Sequence, residues 1–95
     1  MKNKKVIVRT YSAGVFYGTL ASRKGKEAVV KNAIRIWRWA GAASLSELAV
    51  SGTKNPGECK FAVPVSTVLL TEVIEILATT KAAQANIETI PSWKA

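Results

Sequence analysis

Residues Ile34 to Val50 read I-R-I-W-R-W-A-G-A-A-S-L-S-E-L-A-V. The stretch begins with the alternation of a strand, which sends Ile34, Ile36 and Arg38 to one face and Arg35, Trp37 and Trp39 to the other. The period then changes. Ser44 followed three residues later by Glu47 has the form of a capping box, in which each side chain satisfies an amide left open at a helix start. Leu45, Leu48 and Ala49 supply a short apolar stripe, and Gly52 is placed to end the helix. The passage predicts a strand, a small-residue turn at Gly41-Ala42-Ala43, and a helix whose first amides favour an anion.

Upstream, Lys5 to Tyr11 reads as a strand of β-branched and aromatic residues, Ser12-Ala13-Gly14 as a turn, and Val15 to Ser22 as the antiparallel return. Gly18 within that return marks a bulge or a close backbone approach. Arg23 to Lys26 forms a basic turn, and Glu27 to Trp39 a third strand with a bend at Asn32, so the first forty residues read as a meander. Downstream, Thr53 to Glu58 is a loop. Lys60 to Leu70 is extended, with Pro64 as an edge residue, a strand start or a kink. Thr71 to Leu77 reads as a strand by its β-branched content, although Glu72 and Glu75 have helical spacing. Thr79 to Thr89 reads as a helix with a threonine cap that ends before Pro91. The tail, Ile90 to Trp93, carries two apolar anchors for packing or a subunit interface. These elements predict one domain over residues 1–95 of the α+β class. Its centre is a small antiparallel, strongly curved sheet or barrel-like domain of about five strands, with two short helices.

The net charge of +8 is unevenly placed. Residues 1–45 hold ten Lys or Arg against Glu27 alone, and residues 46–95 hold four bases against five acids. A basic first half suits an anionic partner; the plainer reading is a solvated face that keeps the protein soluble. The chain has no histidine, no aspartate and one cysteine, Cys59. A disulfide framework, a cysteine-based zinc site and the common general base are thereby excluded. Ser12, Ser44, Ser46 and Cys59 have no base at a telling spacing, so neither an enzyme nor a metal or other cofactor is expected. No apolar run approaches the ~20 residues of a membrane span, and the basic start lacks a signal-peptide core. The expected location is the cytoplasm, with no membrane partner.

Trp37 and Trp39 read either as core or as a stacking platform beside Arg35. On the second reading Arg9 and Arg35 meet phosphates, and Trp37, Trp39 and Tyr11 wall a pocket. Ser12 lies at the end of the first strand beside Tyr11, and Ala43, Ser44, Leu45 and Ser46 offer backbone or hydroxyl donors.

Arg9 to Phe16 (R-T-Y-S-A-G-V-F), Ser22 to Glu27 (S-R-K-G-K-E), Trp37 to Ala49 (W-x-W-x-G-A-A-S-L-S-x-L-A), Cys59 to Val65 (C-K-F-x-V-P-V), Leu70 to Ile76 (L-T-E-V-I-E-I) and Ile90 to Lys94 (I-P-x-W-K) resemble a family of short uncharacterised proteins encoded mainly in tailed bacteriophages and prophages. The resemblance spans nearly the whole chain. It implies a phage protein acting in the host cytoplasm. In that setting the expected function is non-enzymatic: a homo-oligomer that binds and sequesters a small nucleotide-like anionic signalling molecule of host defence. A basic nucleic-acid-binding protein is the alternative, and a protein inhibitor of a host factor, using Trp93 and the edge near Pro64, is the third reading.

Overall fold

The computed structural model describes residues 1–94. Six strands and two α-helices follow in the order β1 (Lys5–Thr10), β2 (Val15–Lys24), β3 (Glu27–Arg38), α1 (Leu45–Ser51), β4 (Lys60–Phe61), β5 (Val65–Leu70), β6 (Val73–Ala78) and α2 (Lys81–Ile87). A 3-10 turn at Pro56–Glu58 precedes β4. The strands form one sheet in the order β4-β3-β2-β1-β6, and β5 also pairs with β3. All the strand pairings are antiparallel. The predicted meander is β1 to β3.

β3 is the trunk of the sheet. One edge pairs with β2 along its length; the other pairs with β5 from Ala28 to Ala33 and with β4 from Ile36 to Arg38. The extended stretch predicted from Lys60 to Leu70 is therefore two strands on one neighbour, broken around Pro64. β3 changes direction at Asn32, whose φ is 50°. Opposite it the β2 register slips between Tyr17 and Thr19. Gly18 sits at the slip because nothing larger fits: a Cβ there would lie 2.6 Å from Val30 Cγ1 and 2.8 Å from the Lys31 carbonyl oxygen. The bulge kinks both strands and adds twist.

Two cores lie on opposite faces. On one, Ile7, Tyr17, Ile36 and Phe61 are covered by Leu48 and Ala49 of α1 and by Ala83 and Ile87 of α2. On the other, Val6, Val8, Phe16, Leu20, Ala28, Val30, Ala33, Leu70 and Val73 pack together with no helix over them. The sheet covers that face itself: past the bulge, β2, β3 and β5 curl back toward β6, and the Val73 amide donates to the Lys26 carbonyl oxygen at 2.9 Å. β1 lies between the cores, which is why Val6, Ile7 and Val8 are all fully buried.

The curl stops short of a barrel. β5 and β6 are joined by two residues yet sit at opposite ends of the strand order, and they do not pair. The expected barrel-like closure is thus corrected to an open curved sheet, and the strand count rises to six because β4 and β5 are separate. No helix is long and apolar enough to cross a membrane among the described residues.

Candidate functional site

The far end of β3 gathers the exposed aromatic and basic residues. Arg35 and Trp37 alternate outward from the buried Ile36. β4 runs alongside, with Arg38 opposite Lys60. The tail returns to the same place: Ser92 bridges to Phe61, and the Trp93 amide donates to the Phe61 carbonyl oxygen at 2.8 Å. This hold stacks Trp93 on Trp37 with ring centroids 5.0 Å apart and planes inclined by 18°. Lys60 Nζ stands 5.3 Å from the Trp37 centroid and 4.9 Å from that of Trp93. The Arg35 guanidinium lies 4.8 Å above the Phe16 ring.

Two features separate this shelf from ordinary surface. Trp37 and Trp93 keep 60% and 47% of their area exposed, although tryptophan is usually largely buried. Its cations also lack counter-charge. The ion pairs among the described residues are Lys5–Glu88 and Arg9–Glu75, so Arg35, Arg38 and Lys60 have no carboxylate partner there. Arg38 aligns with Lys60 across the ladder, next to a shift of register after Ile36.

Of the ten residues expected in one site, the structure brings Arg35 and Trp37 together on the shelf. Trp39 does not share their face; the chain leaves the strand after Arg38, and Trp39 turns half-buried against the helix-side core. Arg9 aligns with Val15 and Ile36 on the helix side of the sheet, whereas Arg35 aligns with Phe16 on the other. β2 also lies between their strands, two spacings or ~10 Å across. Arg9 Nε donates instead to Glu75 Oε1 at 3.2 Å. Tyr11 is exposed beside an acid: its amide bonds to the Glu72 carbonyl oxygen, and Ser12 Oγ donates to the Glu72 carboxylate at 3.0 Å.

The helix start forms as expected but serves the helix. The Glu47 amide donates to Ser44 Oγ at 3.1 Å, and the Ala43 amide donates to Glu47 Oε1 at 2.6 Å. A carboxylate of the chain's own already occupies the place an anion would take, and α1 has seven residues. Leu45 is half-buried against the helix-side core and Ser46 is exposed. Lys60 and Trp93 complete the shelf and were outside the expected set. The apolar tail anchor was the one signal for Trp93, and Lys60 had none.

A second polar cluster lies on the helix side. Tyr17 Oη and Lys5 Nζ both donate to Glu88 Oε2, each at 2.6 Å, beside a cavity of about 230 Å³. Burial, then the bond to Glu88, pushes the Tyr17 hydroxyl well above the usual tyrosine range. The bonds from Lys5 and Tyr17 hold the Glu88 carboxyl below its ordinary value. No group of three His, Cys, Asp or Glu is placed to hold a metal ion among the described residues. Cys59 is buried near the Ala40 carbonyl oxygen and Thr53.

Comparison with curated proteins and with solved structures finds no match. A family model, described as a domain of unknown function (DUF6948), matches residues 3–87. That match takes in β1 through α2, and the chain belongs to this family.

Proposed function

We propose that the protein is a non-enzymatic binder of a nucleotide-like anion, a phage product that sequesters a small signalling nucleotide of host defence in the host cytoplasm. One observation carries the reading: the exposed Trp37–Trp93 stack, capped by Lys60 and flanked by Arg35 and Arg38 without carboxylate partners. A flat base stacks on indole, and guanidinium and ammonium groups meet the phosphates. The shelf is open, so one copy covers one side of a ligand; assembly into a homo-oligomer would supply the other. β5 supports such assembly, because its free edge, V-S-T-V-L-L, carries no charge and exposes Val65 and Leu69.

The openness also favours a second reading, a single-stranded nucleic acid laid along the shelf and the basic first half. A thermal-shift panel separates the two: cyclic dinucleotides, ADP-ribose derivatives and mononucleotides, with a random oligonucleotide alongside. At a hundredfold excess over Kd, a ligand of the folded state adds about 2.7 kcal/mol, roughly 10 °C or more for a domain of this size. A small nucleotide giving that shift, lost in Trp37→Ala and in Lys60→Ala, supports sequestration. An oligonucleotide response that falls steeply with salt supports nucleic acid. Silence from the whole panel refutes both.

A further inference from the structure

The two outer strands of the sheet are guarded differently. On β6 the Val73 amide is taken by the Lys26 carbonyl oxygen, and Glu75 sits mid-strand, paired with Arg9. On β5 one edge pairs with β3, from Val65 opposite Ala33 to Leu70 opposite Ala28. The other edge has no strand beside it among the described residues. Main-chain bonds formed outside the ladders involve none of Val65 to Leu70 among those residues. One side-chain bond touches the strand, from Lys31 Nζ to Thr67 Oγ1 at 3.0 Å, and it leaves the main chain free. The amides and carbonyls of alternate β5 residues therefore point into solvent, and Val65, Ser66, Thr67 and Leu69 are exposed.

Such an edge is ordinarily blunted by a charge, a proline or a covering element. V-S-T-V-L-L contains neither charge nor proline. It is instead complementary to itself. Turned about a two-fold axis at Thr67, Val65 meets Leu69, Ser66 meets Val68, and Thr67 meets its own copy. Val65, Thr67 and Leu69 share one face, so that face carries two Val–Leu pairs around a central threonine pair, neighbours that stabilise a sheet. In a chain of net charge +8, an uncharged strand is where two copies meet with least repulsion.

We infer that two copies of the chain join β5 to β5, antiparallel about a two-fold axis at Thr67, and form one continuous sheet. This dimer gives the homo-oligomer of the proposed function its interface and rests on that reading for its purpose, while its geometry needs no ligand. β4 follows β5 along the same edge of β3, so a tryptophan shelf stands toward each end of the junction. Six residues from each copy are far fewer than the ~20–30 per side of a standard stable interface, so the dimer exchanges with monomer. Lys31, bonded to Thr67, brings two ammonium groups near the axis. Their repulsion is screened by salt, so association strengthens as ionic strength rises.

The test is sedimentation velocity of the full chain, without nucleotide, from micromolar to near-millimolar concentration. The weight-average mass is expected to rise from that of one chain toward that of two, and further at higher salt. Leu69→Lys and Thr67→Lys, both at exposed positions, weaken association at least tenfold. Val50→Lys, the same kind of change on the exposed face of α1, leaves it within twofold. Register is read by cysteine pairing under mild oxidation. Thr67→Cys cross-links across the axis, whereas Leu69→Cys does not, because the two copies of residue 69 stand four residues or ~13 Å apart along the strands. A chain that stays monomeric at the highest concentration overturns the inference. So does a dimer indifferent to both lysine variants, or equal cross-linking at the two positions. A monomer that still responds to a nucleotide refutes the interface alone; a dimer that responds to none refutes the nucleotide reading alone.

Discussion

Replacing Gly18 with alanine tests whether the bulge is what gives the sheet its curl. The added Cβ would lie 2.6 Å from Val30 Cγ1, 2.8 Å from the Lys31 carbonyl oxygen and 3.2 Å from Ala33 Cα. Two of those three atoms are backbone and cannot swing aside. They belong to the stretch of β3 that turns at Asn32, so relief requires β2 and β3 to separate locally. Overpacking of this kind costs about 1–3 kcal/mol, and the upper end applies because the neighbours are main chain. Alanine recovers about 0.5–1 kcal/mol of the entropy that glycine loses in a strand. The expected net loss is about 2 kcal/mol, or roughly 8–16 °C in Tm for a domain of this size. Urea unfolding followed by circular dichroism should show a lower midpoint at unchanged slope, the sign of a native-state effect. A Tm within 2 °C of the parent, or a stabilised variant, would refute the reasoning and mean that the strands pass at this point with room to spare.

Asn86→Ala should be among the costlier helix substitutions. Its Oδ1 accepts from the Thr53 amide at 2.8 Å and its Nδ2 donates to the Thr53 carbonyl oxygen at 2.9 Å. Thr53 is buried, and each stranded partner costs about 1–3 kcal/mol; urea unfolding should show a loss of about 2–4 kcal/mol, with Asn86→Asp in between. Gly52 packs against the same amide group at φ 75°, so Gly52→Ala should show a loss of the same sign. Glu88 predicts an acid limit. Its carboxyl is held below the ordinary 4.5 by Lys5 and Tyr17, so its contribution is present above pH 4.5 and is lost as pH falls through the lower folded value. Glu88→Gln should flatten thermal stability across that window. Tyr17 sets the opposite limit: its raised folded value leaves its contribution intact below the ordinary 10.0 and removes it progressively at higher pH, and Tyr17→Phe should flatten that decline.

The meander, both helix caps and the position of the bulge were readable in advance because each is a local signal. Alternation marks β1 to β3, Ser44 with Glu47 marks α1, Thr80 marks α2, and a glycine and an asparagine interrupt otherwise regular strands. The strand reading of Thr71 to Leu77 also matches, with β6 running from Val73 to Ala78, since β-branched content outweighed the glutamate spacing. The candidate site was not readable in the same way. Whether Arg9 and Arg35 share a face depends on register across β2, and one residue of slip reverses it. Where β3 stops decides which core receives Trp39, and strand ends are weakly marked. The stack of Trp37 on Trp93 joins residues far apart in sequence through a single bridge at Phe61 and Ser92, which no spacing encodes.

The two-residue link between β5 and β6 governs the order in which this fold can assemble. β1, β2 and β3 pair between neighbours in sequence, so their loops close early and cheaply. β6 pairs with β1, near the opposite end of the chain, and can do so only after the link has crossed the gap from β5. Such a distant pairing slows folding relative to a local one. On the ribosome, the meander emerges well before its last strand, with β1 bare along the edge that β6 will fill. Until synthesis passes Ala78, that edge is open to any extended chain nearby, which makes the interval before closure the period of greatest exposure to misassembly.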